Sequence, residues 1–244
     1  MKLRTIILIF VCIAAIEALA QTETSVCQDM KALQEWVAGT CVSERAVQRF
    51  GIERCFTADT IDDATFRRIN GKSFKDNPHI SRSDLRYLRL LHVNNDGNIC
   101  LGEMVCNKAI STDLTDIFRQ LYDARYPIER MVLIDNYEAD DEQSMRDNNS
   151  SCFCYRVVSG SKVLSHHARG MAVDINTLYN PYVKVRQDGS RYIQPGTAEP
   201  YTHRERTFIY KIQPTDICVQ LFLSHGFKWG GNWNNPKDYQ HFEK

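Results

Sequence analysis

The sequence predicts one large domain of mixed α-helices and β-strands behind a short N-terminal extension. Two apolar runs, residues 85–93 and 99–105, flank an Asp96-Gly97 pair, which is typical of a β-hairpin turn. Residues 111–125 place Leu114, Ile117, Phe118 and Leu121 on one helical face, with Ser111 or Thr112 as the expected N-cap. With 244 residues, the chain is long enough to bury a core without disulfide staples.

The remaining elements are expected in chain order. Residues 21–50 are predicted to be helical from apolar residues at helical spacing, namely Met30, Leu33, Trp36 and Val37. Residues 51–83 are mixed and polar and could wrap over the main domain. Residues 180–206 are rich in Pro, Gly, Tyr and charges and are predicted to form a long loop, the rim or lid of a site. The other predictions are strands at 131–134, 152–158 and 171–175, a helix at 139–145, a helix capped by Thr215 and stopped by Gly226, and a closing strand within 227–242.

The first twenty residues have the pattern of a secretory signal. Lys2 and Arg4 precede an apolar run at residues 5–16, and Ala18-Leu19-Ala20 offers a small-residue cleavage site. A membrane anchor is the alternative, but this run is shorter than the roughly 20 apolar residues that a span needs. We therefore expect an exported protein, in the periplasm, the cell envelope or outside the cell, with no stable membrane anchor.

Charge and cysteine content restrict the classes of partner. The chain has 30 basic and 30 acidic side chains, so no charge excess suggests binding to nucleic acid or to an anionic membrane. The cysteines beyond the signal are even in number, which permits disulfides in an exported protein but leaves their pairing open. No C-x-x-C pair occurs, so a thiolate zinc site is not expected. Cys152 and Cys154 are interpreted as buried packing residues or as a structural bridge.

The predicted hairpin turn also offers oxygen ligands for calcium. However, the alternating ligands and the closing Glu of an EF-hand are not all present around residues 94–98. A turn is therefore the preferred interpretation.

Two distant segments supply side chains that bind zinc in other proteins. Residues 165–174 contain His167 and Asp174, and the closing residues contain His241. Two imidazoles and a carboxylate form the ligand set of a catalytic zinc site, in which the fourth position is left for water. Strand alternation alone would place His167 and Asp174 on opposite faces, but Gly170 lets the chain turn between them. The sequence therefore predicts a zinc site with an open coordination position.

Four further residues are candidates for roles around this zinc. Asp238 is the expected general base, which takes a proton from a zinc-bound water that attacks a carbonyl and passes it to the leaving amine. Arg156 is the candidate cation for the developing oxyanion, although a surface arginine paired with an acid is an equal alternative. Ser165 either binds substrate or holds the turn, and the turn is favoured. His166 is assigned either to the surroundings of the metal or to the surface, and the whole pattern indicates a hydrolase.

The chain contains three motifs: S-x-H-x-x-G-x-A-x-D at 165–174, H-G-F-x-W-G-G-x-W at 225–233 and D-x-x-H-F at 238–242. Together they resemble the zinc D-alanyl-D-alanine carboxypeptidase family. This family includes VanY-like and VanX-like enzymes and L-alanyl-D-glutamate endopeptidases. The resemblance covers about residues 80–244, interpreted as the zinc peptidase domain, and leaves 21–79 as an extension that is mostly helical or irregular. It implies zinc ligation by His167, Asp174 and His241, catalysis by Asp238, and peptidoglycan stem peptides as substrate. It also implies an α+β fold in which a small antiparallel sheet, flanked by helices, carries the metal.

The chain departs from the family in one segment, and the predicted metal site is also compatible with two other functions. Better-known members carry a Gly-Tyr-Arg-Ser type segment well before the first ligand, whereas residues 133–137 here contain no arginine, and Tyr155-Arg156 is the candidate replacement. A catalytically silent, hedgehog-like metal-binding module shares the implied architecture, but it does not need a base such as Asp238. A structural zinc site is the third possibility, but it needs a fourth protein ligand, which is not evident in the sequence.

Overall fold

The computed structural model describes residues 23–158 and 162–244, so the segment predicted to be a secretory signal lies outside the described residues. The N-terminal part begins with helix α1, residues 23–35, followed by α2, Glu44–Phe50, and α3, Asp63–Ile69. Ser43 caps α2 and Asp62 caps α3, each by accepting a hydrogen bond from a backbone N–H of the first turn. The helix predicted over 21–50 is therefore two helices with a break between them.

A four-stranded antiparallel sheet forms the centre of the N-terminal half. Its strands are β1, Cys41–Val42; β2, Thr57–Thr60; β3, Leu85–Val93; and β4, Ile99–Asn107, in the order β1-β4-β3-β2. The predicted hairpin is confirmed as β3 and β4, whose register pairs Leu85 with Asn107. Asn94 Oδ1 accepts the N–H groups of Asp96 and Asn98, so this side chain holds the turn.

The segment 21–79 contributes strands as well as helices to this fold. β1 pairs with β4, where a disulfide joins Cys41 to Cys100, and β2 pairs with β3. The side chains of α1 and α2 pack beneath β3 and β4 in a common apolar cluster that includes Leu33, Val47 and Leu101. The predicted boundary near residue 80 therefore falls between strands of a single sheet.

Two three-stranded antiparallel sheets form the C-terminal half. One contains β5, Ala172–Asp174; β10, His241–Glu243; and β8, Lys228–Trp229, in the order β5-β10-β8. The other contains β7, Arg191–Gln194; β6, Tyr182–Val185; and β9, Lys237–Asp238, in the order β7-β6-β9. The fold is α+β with small antiparallel sheets, as expected.

Helices α4, Ser111–Asp123, and α6, Ile217–Ser224, cover the core between the halves. Phe222 of α6 stacks on Phe242 of β10 with 4.2 Å between ring centroids, and Phe118 of α4 meets Phe222 edge-on. These buried rings support β10 from below. Between α4 and β5, the short helix α5 spans Asp141–Arg146, close to its predicted position.

Two predicted strands are absent from the described residues. Residues 131–133 have no regular structure, and Ile134 begins a 3-10 turn. Residues 152–158 form no continuous strand, because their N–H groups donate to separate segments: Phe153 to Val105, Cys154 to His167, Tyr155 to Ser73 and Val158 to Val163. Apolar runs predicted strands here, but scattered partners satisfy the backbone without a ladder.

Some predicted boundaries also shift. Ile110 rather than Ser111 or Thr112 precedes α4, and Asp216 rather than Thr215 precedes α6, whereas Gly226 follows α6 with φ +82° as expected. The loop predicted at 180–206 is largely the hairpin β6–β7 followed by a 3-10 helix, Gly196–Thr202. Within residues 23–158 and 162–244, no helix combines the length and apolarity needed to cross a membrane.

Gly170 has a conformation and an environment that require glycine. Its φ is +65°, and a Cβ there would lie 2.6 Å from Asn107 N, which donates to the Gly170 carbonyl. Gly189, in the β6–β7 turn, also has positive φ, +82°, but no atom within 4 Å of a Cβ. Both glycines have a positive φ, but only at Gly170 would an added Cβ also clash, so the pair distinguishes the cost of backbone strain from the cost of close packing.

We therefore predict that Gly170→Ala lowers the free energy of unfolding more than Gly189→Ala does. Gly189→Ala should cost about 1–2 kcal/mol from the left-handed backbone. Gly170→Ala should cost about 1–3 kcal/mol in addition, because Asn107 must move. Urea denaturation of both variants measures the difference, and equal losses would contradict the packing explanation.

Candidate metal centre

Three buried side chains from distant parts of the chain converge at the edge of the β5-β10-β8 sheet. His167 Nε2 lies 3.1 Å from Asp174 Oδ2, and His241 Nδ1 lies 2.9 Å from Asp174 Oδ1. The two facing imidazole nitrogens, His167 Nε2 and His241 Nδ1, are 3.2 Å apart. One potential ligand atom from each residue lies within 4.8 Å of the others. The three residues predicted as ligands therefore form one cluster.

Strand register and a tight turn bring the cluster together. β10 pairs with β5 so that His241 lies opposite Asp174. His167 begins a 3-10 turn, His167–Arg169, that Gly170 ends. Ser165 Oγ accepts the His167 N–H at 3.2 Å, which supports the turn-holding interpretation of Ser165. The turn aims the His167 ring at the sheet edge where the other two side chains meet.

The outer nitrogen of each imidazole has a hydrogen-bond acceptor. His167 Nδ1 lies 2.6 Å from the Cys152 carbonyl oxygen, and His241 Nε2 lies 3.3 Å from Glu243 Oε2. If each outer nitrogen carries the proton and donates it, the inner nitrogens present lone pairs to one another and to a carboxylate. Such an arrangement of donor atoms attracts a cation, so the residues present fit a zinc ion.

The contacts within this cluster shift the pKa values of Asp174 and His241. Burial raises the pKa of Asp174, but its contacts with His167 and His241 outweigh burial and hold that pKa well below its usual range. Burial lowers the pKa of His241, but hydrogen bonds to Asp174 and Glu243 raise it to about 10. A bound divalent ion would replace this proton, since metal ligands must be deprotonated.

Asp238 lies in the neighbouring sheet, facing the same cleft. β9 pairs with β6, placing Asp238 opposite Tyr182. Asp238 Oδ1 is buried and has no hydrogen-bond partner within the described part of the chain. Burial raises the pKa of Asp238 to about 7, although the positive charge of His241 opposes this shift. A carboxyl group with a pKa near neutrality is suited to accept and return protons at physiological pH.

The His–Asp–His cluster and Asp238 line one cleft of about 840 Å³, a volume typical of ligand-binding pockets. Arg156 lines this cleft and pairs with Asp141 at 2.7 Å, so both interpretations of Arg156 agree with its position. His166 is half-exposed, and its Nε2 lies 3.7 Å from Glu243 Oε2, in the surroundings of the cluster. Tyr155 lies outside the residues that line the cleft.

Three parts of the site were not predicted from the sequence. Glu243 is two residues after His241 on one strand, so strand alternation places both side chains on the same face and identifies it as a partner for the imidazole. The cleft wall formed by β6 and β7 was expected only as an irregular rim. The Cys152 carbonyl left no signal, because any residue supplies a backbone oxygen.

Residues 159–244 match the family model described as D-alanyl-D-alanine carboxypeptidase. The matched part includes His167, Asp174, Asp238 and His241, but not Arg156. No curated protein and no solved structure gives a significant match. The family match confirms the resemblance indicated by the motifs, and it supports a peptidase of the D-Ala-D-Ala carboxypeptidase type.

We predict that zinc stabilises the folded protein through this cluster. At a free zinc concentration of about 100 times the dissociation constant, binding adds about 2.7 kcal/mol. For a chain of this size, that corresponds to a rise of about 5–10 °C in Tm. His167→Ala should lose the rise measured by calorimetry, whereas His203→Ala, an exposed histidine outside the cluster, should keep it. Equal rises in both variants would place the zinc elsewhere.

We also predict that Glu243 contributes to metal affinity by orienting His241. Glu243→Ala removes the acceptor from His241 Nε2 and should weaken zinc binding about 10–100-fold. Competition with a chromophoric chelator measures the affinity. Glu205→Ala is the matched control, because Glu205 lies 3.5 Å from His203 Nδ1, in an exposed pair. A Glu243→Ala affinity within twofold of the control would contradict this role.

Proposed function

We propose that the protein is an exported zinc metallopeptidase that hydrolyses amide bonds in peptidoglycan stem peptides, either as a D-Ala-D-Ala carboxypeptidase or as an L-Ala-D-Glu-type endopeptidase. The observation that carries the proposal is the convergence of His167, Asp174 and His241 with Asp238 in one cleft. The family match over residues 159–244 supports the class of reaction and the class of substrate. The signal-like segment supports export.

The proposed ligands are His167, Asp174 and His241. Zinc in such a site supplies Lewis acidity, which makes water more acidic and polarises a carbonyl group. The chain itself fixes the direction of the ligands: the Cys152 carbonyl orients the His167 ring and Glu243 orients the His241 ring. The hydrogen bond from His241 lowers the pKa of Glu243, so Glu243 is a carboxylate when it accepts that bond.

Asp238 is the proposed general base. Its Oδ1 is free to take a proton from the water that attacks the scissile carbonyl carbon. The same oxygen then returns that proton to the amine that leaves when the C–N bond breaks. Burial raises the pKa of Asp238 to about 7, so neither taking up nor releasing the proton is strongly unfavourable at neutral pH.

Arg156 is proposed to stabilise negative charge on the substrate. It lines the cleft, and Asp141 holds its guanidinium by an ion pair at 2.7 Å. A fixed cation near a developing oxyanion lowers the barrier, because it needs no reorientation during the reaction. This assignment depends on position alone, since the family match does not include Arg156.

The proposal is tested by product analysis. The mature protein, with one equivalent of zinc, is incubated with stem pentapeptides, and the products are identified by mass spectrometry. Loss of one D-alanine indicates a carboxypeptidase, whereas separation of L-alanine from the rest indicates an endopeptidase. No new product from any stem peptide, or unchanged products with His167→Ala, would contradict the proposal.

Asp238→Asn separates the enzyme from a silent metal-binding module. The amide cannot take the proton, so kcat should fall about 10²–10⁴-fold. Zinc affinity should stay within a few fold of wild type, because Asp238 is not among the three proposed ligands. Asp188→Asn, which removes an exposed carboxylate from the β6–β7 turn, is the control and should retain activity. Unchanged turnover in Asp238→Asn would remove Asp238 from the mechanism.

A further inference from the structure

We propose that the β6–β7 hairpin selects substrates by binding a carboxylate carried inside the peptide, one or two residues from the scissile bond. The inference rests on the proposed peptidase function and names two specificity-determining residues, Lys184 and Arg186. Both line the cleft that contains the His–Asp–His cluster. Neither lies in the three motifs that indicated the family.

The hairpin presents its cations on the face that lines the cleft. Side chains alternate along an extended strand, so Tyr182, Lys184 and Arg186 point to the same side. The Arg186 N–H donates to the Ser190 carbonyl, which continues the ladder one residue past β6. Across from them, Tyr192 and Gln194 of β7 line the same wall.

The positive charge of this wall is not neutralised by an ion pair. In the described ranges, no carboxylate lies within ion-pair distance of Lys184 or Arg186, whereas the other arginine of the cleft, Arg156, is paired with Asp141. Asp188 in the hairpin turn is the nearest acid in sequence, and its Oδ1 accepts the Ser190 N–H. Asp238 on the neighbouring strand β9 and Glu243 on β10 also line the cleft, so acidic groups and these two cations share it.

Side-chain contacts hold the wall in place near the β6–β7 turn. Asn235 accepts the Val185 N–H through Oδ1 at 3.0 Å and donates to the Val185 carbonyl through Nδ2 at 2.9 Å. The guanidinium of Arg186 lies over the Tyr192 ring, 5.4 Å from its centroid, and donates to Ser190 Oγ at 3.4 Å. A cation held in this way loses less conformational freedom when it binds an anion.

Strand register sets the distance between these cations and the reacting groups. Tyr182 is opposite Asp238, so Lys184 lies two residues, or about 7 Å, further along the strand. Arg186 lies about 13 Å along by the same spacing. Since one extended peptide residue also spans about 3.3 Å, a carboxylate one to two residues from the scissile bond comes within reach of these long side chains. The substrate class is therefore a peptide with an internal, unamidated carboxylate.

The test uses stem pentapeptides with diaminopimelate at the third position, whose side-chain carboxylate is free in one peptide and amidated in its partner. We expect wild type to prefer the free acid in kcat/KM. Each exposed charge pair is worth up to about 1 kcal/mol, or about fivefold, so the preference should be roughly 5–25-fold. The preference should shrink as ionic strength rises, because salt screens exposed charges.

Lys184→Gln/Arg186→Gln should reduce this ratio to near one, mainly by raising KM for the free acid. Arg191→Gln is the matched control, because Arg191 pairs with Val185 and is absent from the cleft lining. It should keep both activity and preference. A wild type that cuts both peptides equally, or a double variant that keeps the preference, would overturn the inference. A wild type that cuts neither peptide would instead contradict the proposed function.

Discussion

The site depends on the antiparallel pairing of β5 with β10. This pairing brings Asp174 and His241, which are 67 residues apart, into hydrogen-bond contact at 2.9 Å. Beneath them, Phe242 packs between Phe222 and Trp229, so the strand that carries His241 is fixed by buried aromatic rings. Displacing β10 would leave the buried Asp174 carboxylate without one of its two imidazole partners, which is costly. The packing of the core and the geometry of the metal centre are therefore coupled.

Two of the proposed metal ligands, Asp174 and His241, lie in one sheet, whereas the proposed base, Asp238, lies in another. The two sheets meet within the last seven residues. Asp238 ends β9, which pairs with the hairpin wall, and His241 begins β10, which pairs with the strand of Asp174. Only Tyr239 and Gln240 separate the two strands. Ile175 N donates to the Gln240 carbonyl, and Trp229 Nε1 donates to the Tyr239 carbonyl. The connection is thus held from both sides, and it sets the position of the base relative to the ligands.

The three proposed ligands were chosen from their residue types and spacing, and the fold brings all three side chains together. The hairpin β3–β4 was also predictable from two apolar runs around Asp96-Gly97. Residues 152–158 were not, because the same apolar run serves a strand or a buried extended segment, and only the partners decide. The arrangement of the cleft wall could not be predicted either, since Lys184 and Arg186 look like ordinary solvated charges in the sequence. Only the folded hairpin places them in the cleft that contains Asp238.

X-ray absorption spectroscopy of the protein loaded with one equivalent of zinc tests the central claim most directly. The claim requires a first shell of nitrogen and oxygen at about 2.0–2.2 Å, with the outer-shell scattering of two imidazoles. The described chain also holds free thiols, among them Cys106, Cys152 and Cys154, so a thiolate site is a real competitor. Sulfur scattering at about 2.3 Å would show that cysteines hold the metal, and it would contradict the account.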